Sequence, residues 1–269
     1  MGALDGVGIG VTAQRRAEEF IAALERHGAT VHHAPTIRIV PLPGDAELRA
    51  ATERVLADGV DDLAVTTGAG FRGWLDAAQG WGLEGDLLDT LGRARILTRG
   101  PKAVGAVRGR GLTERWSAPG ESNAELFAQL AEYELAGRRV AVQLHGGPLP
   151  EHTTPLRAAG AELIEVLPYR WQWPDDLAPA HRLIEATLDG RVRALAFTSA
   201  PACANLLSLA REGGRLDALL RALCSDVACA CVGPVTAAPL AELGVPTLLP
   251  DRQRLGALVK LLVTELGTS

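Results

Sequence analysis

The sequence lacks the features that mark membrane and nucleic-acid-binding proteins. No apolar run approaches the roughly 18 residues of a membrane span, and the N-terminus has no basic and apolar signal pattern. The net charge of −5 shows no basic excess of the kind that nucleic-acid binders carry. Lysine is nearly absent, since only Lys102 and Lys260 occur, and arginine supplies almost all positive charge. We therefore expect a cytoplasmic protein that, from this chain alone, binds neither membrane nor nucleic acid.

Cysteine is too scarce to form a disulfide framework or a zinc site. The four cysteines include no C-x-x-C pair, and Cys229 and Cys231 stand two apart in an apolar, strand-like run. We expect the cysteines to be small buried hydrophobic residues in a reducing compartment. The neighbours His32 and His33 would point to opposite faces of a strand, and no acidic or cysteine partner stands at ligand spacing. We predict no metal site.

The chain is rich in apolar, strand-like runs that alternate with helix-like segments. Strands are predicted at 6–11, 30–34, 63–67, 95–97, 139–144, 162–167, 194–198, 227–232 and 247–248. Helices are predicted at 16–27, 71–79, 124–135, 179–188, 201–211, 236–243 and 254–266, among others. This alternation predicts an α/β fold with parallel sheets covered on both faces, in which ligands bind beyond the carboxyl ends of the strands.

Two proline-bounded, extended segments interrupt the alternation. They lie at about 35–43 and 166–174 and lack helical spacing. If they pair, the chain divides into a discontinuous α/β domain, 1–36 plus 171–269, and an inserted α/β domain, 42–167. We therefore predict two parallel-sheet domains joined by a two-stranded linker ladder, with the site in the cleft between them.

Six short turns of small residues follow predicted strands and precede helix-like segments. They lie at 11–15, 66–70, 98–102, 145–148, 198–201 and 233–236. Four of them carry a proline where the helix would begin, a position that tolerates proline well. Such turns present free backbone N–H groups and the positive end of a helix dipole, which favour anions. None has the GK[ST] ending of a Walker sequence, so we expect a ligand with several separate carboxylates or phosphates.

Two individual motifs require a choice between interpretations. The glycines of 68–73 match G-x-G-x-x-G after a strand, which keeps an NADP oxidoreductase open as an alternative. The next strand ends at Arg99, further away than usual and without an acidic residue, so a generic anion-binding turn is favoured, although an arginine could suit the 2′-phosphate of NADP. Ser122, with Glu125 three residues later, is predicted to cap a helix rather than to act as a nucleophile.

Tyr169 is the most informative single side chain, because the sequence contains only one other tyrosine. It lies in the second extended segment beside Arg170. A phenol can donate a proton and an arginine can hold a carboxylate, although aromatic packing between the domains explains the tyrosine equally well. Arg15 and Arg16 open the first predicted helix, where positive charge opposes the dipole, so a ligand role is considered for them.

These motifs, taken in order, resemble the uroporphyrinogen-III synthase family along nearly the whole chain. The similarity rests on 66–70, 99–103, 143–150, 167–170, 196–201 and 230–236. It implies two α/β domains joined by a two-stranded ladder. It also implies a cyclising lyase that converts hydroxymethylbilane, a linear polycarboxylate tetrapyrrole, to uroporphyrinogen III. Water is lost and the terminal pyrrole is inverted, without cofactor or metal. We expect a monomer.

The resemblance also assigns roles by position. Tyr169 matches the residue that assists departure of the hydroxyl group. The substrate-binding candidates are Arg15, Thr67, Gly68, Lys102, Gly146, Gly147, Ser199, Ala200, Gly233 and Thr236, with Arg170 a weaker one. The turn at 100–102 departs from the family, because many members have hydroxylated residues there.

An alternative from another functional class is a regulatory domain that senses a tetrapyrrole-like ligand without catalysis. The arginine-rich chain resembles a branch of the family whose members can carry a C-terminal winged helix. A longer reading frame beyond Ser269 would favour that alternative.

Overall fold

The computed structural model describes residues 2–267. The chain folds into two compact units. Unit 1 contains the residues up to Arg38 and those from Gln172 onward, and unit 2 is Ile39–Trp171. The predicted α/β class with parallel sheets is confirmed.

The strands are β1 (Gly8–Val11), β2 (Thr30–His33), β3 (Arg38–Pro41), β4 (Asp62–Val65), β5 (Arg95–Thr98), β6 (Trp116–Ser117), β7 (Arg139–Gln143), β8 (Glu162–Val166), β9 (Tyr169–Gln172), β10 (Ala194–Phe197) and β11 (Ala228–Cys231). The helices are α1 (Ala17–Glu25), α2 (Ala46–Asp58), α3 (Gly68–Gly80), α4 (Glu84–Leu91), α5 (Pro101–Arg108), α6 (Asn123–Ala131), α7 (Pro150–Ala158), α8 (Ala178–Leu188), α9 (Ala200–Glu212), α10 (Leu216–Ser225), α11 (Pro234–Ala241) and α12 (Leu255–Leu266). The strands β3 and β9 form a two-stranded sheet, at which the chain leaves unit 1 and later returns to it.

Unit 1 is built on a four-stranded parallel sheet in the order β11-β10-β1-β2. Successive side chains of a strand point to opposite faces, and the central strand β10 shows this clearly. Leu195 and Phe197 pack into the cluster with α8, α9 and α10, whereas Ala194 and Ala196 pack into the cluster with α1 and α12. The continuous apolar run therefore serves a sheet with a covered core on each face.

Unit 2 has a five-stranded sheet in the order β6-β5-β4-β7-β8, and each neighbouring pair is parallel. In β4, Leu63 and Val65 belong to the core cluster that includes residues of α2 to α5, and Ala64 belongs to the cluster that includes residues of α6 and α7. Trp74 of α3 is fully buried, and its indole N–H donates to Thr52 Oγ1 at 2.9 Å. The buried polar group thus has its partner.

Several local predictions are wrong. The strand predicted at 247–248 is reduced to one bridge, between Ala230 and Leu248. The short strand β6 was not predicted, because two residues show no periodicity. The helix after the fourth turn begins at Pro150 rather than at Pro148. Between residues 2 and 267, the protein contains no helix with both the length and the apolar character that crossing a membrane requires.

The cysteines follow the prediction in part. Cys203, Cys229 and Cys231 are buried, but Cys224, near the end of α10, is exposed. Burial raises the pKa of the Cys203 and Cys231 thiols to about 12, so these groups stay protonated and behave as small apolar residues.

Candidate functional site

Polar side chains gather at the carboxyl edge of the unit 2 sheet. Thr67 follows β4, Arg99 follows β5, His145 follows β7, and Tyr169 begins the strand that comes after β8. Parallel strands end at the same edge of a sheet, and ligands of open α/β sheets bind there. The register confirms the placement, because Arg99 N donates to Val65 O at 3.0 Å across the neighbouring strand.

Tyr169 and Thr67 form the centre of this edge. The phenol oxygen of Tyr169 lies 3.4 Å from Thr67 Oγ1, and Tyr169 is 9% exposed. Thr67 is the N-cap of α3, since its Oγ1 accepts from Gly70 N at 3.1 Å. Its own N–H donates to the side-chain oxygen of buried Gln143 at 3.0 Å. The hydroxyl that meets Tyr169 is therefore held in place by a helix start and a neighbouring strand.

The glycines of the G-x-G-x-x-G match serve contacts inside the protein. A Cβ added at Gly68 would lie 2.1 Å from the carbonyl oxygen of Lys102, so α3 packs directly on the start of α5. A Cβ at Gly70 would lie 2.0 Å from the side-chain nitrogen of Gln143. Protein atoms thus fill the space that a dinucleotide pyrophosphate would need, which weighs against the NADP alternative.

Arg99 brings an enclosed positive charge to the edge. Burial lowers the pKa of Arg99, while the charges of Tyr169 and Glu121 act in the opposite direction. Within residues 2–267 the guanidinium makes no ion pair. Glu121 has a left-handed backbone with φ of 57°, and a Cβ added at Gly100 would lie 3.1 Å from its Cγ. Neither Arg99 nor Glu121 is among the substrate-binding residues predicted from the sequence.

His145 is a third residue at this edge that was not predicted from the sequence to bind substrate. Burial, the charge of Arg99 and that of His152 lower the pKa of His145 to about 4, so the imidazole is neutral at pH 7. Its Nε2 lies 3.5 Å from the Asn123 side-chain nitrogen, and its ring meets Trp171 edge-on at 5.3 Å. Its Nδ1 is buried and has no hydrogen-bond partner among the described residues.

The fourth turn differs from the anion-binding helix start that was predicted. Gly146 has φ of 82°, and its carbonyl oxygen accepts from Trp171 N at 3.0 Å. A Cβ at Gly146 would lie 2.1 Å from the Trp171 ring, whereas at Gly147 none of the described atoms would lie within 4 Å of one. Because α7 begins only at Pro150, neither glycine lies in the first turn of a helix.

The arginines and the lysine chosen from the sequence lie outside this cluster. Arg170 pairs with Glu47 at 3.0 Å and with Asp45 at 3.7 Å, so protein carboxylates already occupy it. Lys102 is exposed near the start of α5, and Arg15 is exposed ahead of α1. Arg16 does not lie within the helix: it is the N-cap, with φ of 55°, and pairs with Glu19 at 2.6 Å.

Unit 1 places its candidates at helix starts. In α9, Ser199 is the N-cap and Ala200 is the first residue. In α11, Gly233 is the N-cap, and Thr236 lies in the first turn, where it is 6% exposed. Neither helix start receives a side-chain cap from the described residues. Each start also contains a proline, which lacks an N–H, and Thr236 N donates to Gly233 O at 3.0 Å, so only part of each helix start is available to an anion. In unit 2, by contrast, Ser122 caps α6 as predicted, accepting from Glu125 N at 3.2 Å.

The fold and these sites define an α/β protein of two units. The carboxyl edges of its sheets present hydroxyl groups, helix-start amides and a half-buried cation. Between residues 2 and 267, no group of three His, Cys, Asp or Glu side chains stands together as metal ligands would. The family follows from comparison with known proteins: a family model described as "Uroporphyrinogen-III synthase HemD" matches residues 18–260, and the chain belongs to this family.

Two solved structures and one curated relative are similar to this chain over nearly its whole length. A mutant uroporphyrinogen III synthase from the extremely thermophilic bacterium Thermus thermophilus superposes with a TM-score of 0.78 at 33% identity, covering 96% of this chain and 100% of that one. The wild-type Thermus enzyme in a second crystal form gives 0.66 at 35% identity, covering 96% and 97%. A Bacillus subtilis protein, described as "Uncharacterized protein YjjA", is 28% identical over 258 residues, 94% of each chain.

Proposed function

We propose that this protein is a uroporphyrinogen-III synthase. It would be a cyclising lyase of porphyrin and heme biosynthesis, which converts hydroxymethylbilane to uroporphyrinogen III with loss of water and inversion of the terminal pyrrole. Family membership and the similarity to the Thermus enzymes support the assignment. The structural observation that supports particular residues for this reaction is the distance of 3.4 Å between the Tyr169 phenol oxygen and Thr67 Oγ1.

Tyr169 is proposed as the proton donor of the first step. The hydroxyl group of the substrate leaves as water when it takes the phenol proton, so Tyr169 becomes a phenolate, to which a proton later returns, and the pyrrole becomes an electrophilic azafulvenium cation. Thr67 orients the phenol, because its hydroxyl is fixed by Gly70 and its backbone by Gln143. The proton balance closes at the end of the cycle, when the pyrrole carbon that forms the last ring bond loses its proton. A general acid of this kind contributes about 10²–10⁴-fold in rate.

The remaining catalytic effect is positional. After water has left, the far pyrrole attacks through its substituted carbon, and the resulting spiro intermediate fragments and recloses with that ring inverted. The two reacting pyrroles belong to one flexible chain. Binding this chain in a folded conformation brings the two pyrroles together, so the entropy cost of their approach is met before the reaction starts. We propose that carboxylate contacts hold the chain at Gly68, Lys102, Gly146 and Gly147 in unit 2.

Unit 1 is proposed to supply contacts of the same kind. The N–H groups at the starts of α9 and α11 have no side-chain cap from the described residues, which suits them to carboxylates. Ser199, Ala200, Gly233 and Thr236 are the candidates there. Arg15 is exposed, and we propose that it contributes only its positive charge to the binding of the substrate.

The test is the identity of the product isomer. Freshly prepared hydroxymethylbilane is supplied to the purified protein, and the products are oxidised and separated as porphyrin isomers. Enzyme-dependent formation of the type III isomer is expected. Formation of the type I isomer alone, which arises without a catalyst, would contradict the proposal. Tight binding of the tetrapyrrole without type III product would instead support the sensing alternative.

A further inference from the structure

Arg99 differs from two other partly exposed arginines of unit 2, because those two form ion pairs with a protein carboxylate. At the amino edge of the same sheet, Arg95 and Arg138 both bind buried Asp62, at 2.6 Å and 2.8 Å. Arg99 lies at the carboxyl edge, where its backbone N–H donates to Val65 O. No carboxylate between residues 2 and 267 forms an ion pair with it. The sheet thus holds two arginines that share one buried carboxylate at its amino edge, and an arginine without an ion-pair partner among the described residues at its carboxyl edge.

The surroundings of Arg99 keep it charged and partly dehydrated. A guanidinium stays protonated throughout the working range of pH, so the lowering of its pKa by burial does not neutralise it. Its charge acts on Tyr169 and Glu121 and helps to keep His145 neutral, which places all three within electrostatic range. Arg99 is half-buried and has no ion-pair partner among the described residues, so a bound anion would compensate a charge that is only partly hydrated.

We propose that Arg99 binds a carboxylate of the substrate beside Tyr169, an assignment that rests on the proposed function. A guanidinium suits this role because its planar fork can grip both oxygens of a carboxylate. Every pyrrole of hydroxymethylbilane carries two carboxylates, so the group that meets Arg99 fixes which pyrrole lies at the phenol. Glu121 is the protein carboxylate that competes for the same cation, and its charge opposes that of the substrate.

The test uses uroporphyrin III, the stable oxidised form of the proposed product, as the probe. Its affinity is measured by titration calorimetry for the wild type and for Arg99→Gln, Arg99→Lys and Glu121→Gln. Arg93→Gln is the matched control, since Arg93 is exposed in the same unit and its loss changes the net charge equally. We expect about 10- to 100-fold weaker binding for Arg99→Gln, the range of a lost charge-assisted hydrogen bond. Arg99→Lys should be intermediate, Glu121→Gln tighter than wild type, and Arg93→Gln unchanged.

Thermal unfolding separates binding from a structural role. Removing an unpaired enclosed charge should leave the Tm of Arg99→Gln at or above that of the wild type. A lower Tm together with weaker binding would mean that Arg99 supports the fold, and the assignment would be overturned. It would equally be overturned if Arg99→Gln bound uroporphyrin as the wild type does, or if the wild type bound none.

The two proposals can fail separately. Unchanged binding by Arg99→Gln, with type III isomer formed by the wild type, removes the Arg99 assignment and leaves the proposed function standing. Conversely, the wild type could form only the type I isomer while Arg99→Gln binds uroporphyrin more weakly than the wild type. That result would support the carboxylate site and contradict the proposed reaction.

Discussion

The Tyr169 phenol oxygen and Thr67 Oγ1 lie 3.4 Å apart, although 102 positions separate them in the chain. Thr67 is fixed by the start of α3, and Tyr169 by its place at the start of β9. The contact therefore joins two rigid elements at the carboxyl edge of the sheet. Such support is what a proton donor needs if its position is to survive substrate binding.

Replacing Tyr169 by phenylalanine removes the proposed proton donor and keeps the aromatic ring. We expect type III formation to slow by about 100-fold, the lower range of general acid catalysis, with little change in Tm. The matched control is Tyr133→Phe, because the ring of Tyr133 packs under Arg95 at the amino edge and its hydroxyl has no assigned role. Rates are compared by isomer separation at saturating substrate. Equal losses of rate and Tm in Tyr169→Phe would instead identify a packing residue.

Thr67 has two roles that different substitutions separate. Thr67→Ala removes both the N-cap and the contact with Tyr169, so we expect about 1 kcal/mol less stability and about 10-fold slower turnover. Thr67→Ser keeps the hydroxyl and should preserve most of both. Urea unfolding and the isomer assay measure the two effects. If Thr67→Ser were as slow as Thr67→Ala, the methyl group and not the hydroxyl would be what the site requires.

His145 should make stability depend on pH below neutrality. Its folded-state pKa is about 4, against an ordinary value of 6.5, so between these values the unfolded chain binds a proton that the folded chain does not. The contribution of His145 to stability is therefore full above pH 6.5 and is lost as the pH falls towards 4. His145→Gln should lose less stability than the wild type between pH 7 and pH 5. Urea unfolding at both pH values checks this, with exposed His181→Gln as the control. Parallel losses in the wild type and in His145→Gln would exclude the imidazole as the cause.

The sequence indicated the strands and most turns, because buried parallel strands are continuous apolar runs and their turns consist of small residues. It indicated Tyr169 because the chain has only one other tyrosine, and it indicated Thr67 through the family resemblance of the turn that contains it. It could not indicate Arg99 or His145 as neighbours. Their proximity depends on the order β5-β4-β7 in the sheet, which periodicity along one strand does not reveal. Nor could it show that Arg170 is paired, because Glu47 lies 123 positions away.

The start of α7 shows how packing overrides a local signal. Pro148 is the predicted start of this helix, although Pro150 would suit the first turn of a helix equally well. Gly146 adopts a left-handed conformation against the Trp171 ring, and its carbonyl oxygen binds Trp171 N. The contact with β9 holds this segment extended, and the helix begins at the later proline.

The buried carboxylate of Asp62 should matter for stability and not for catalysis. It is fully buried and receives Arg95 Nε at 2.6 Å and Arg138 Nε at 2.8 Å, and it raises the pKa of Arg138. Asp62→Asn would leave two guanidiniums without their partner charge. Because both arginines are partly exposed, we expect a loss at the lower end for a broken buried pair, about 3 kcal/mol in urea unfolding. Asp76→Asn, which breaks an exposed pair with Arg110, should cost under about 1 kcal/mol. Since Asp62 lies at the amino edge of the sheet, the folded Asp62→Asn variant should still form the type III isomer at the wild-type rate. A selective loss of turnover with unchanged stability would contradict this separation of the two edges.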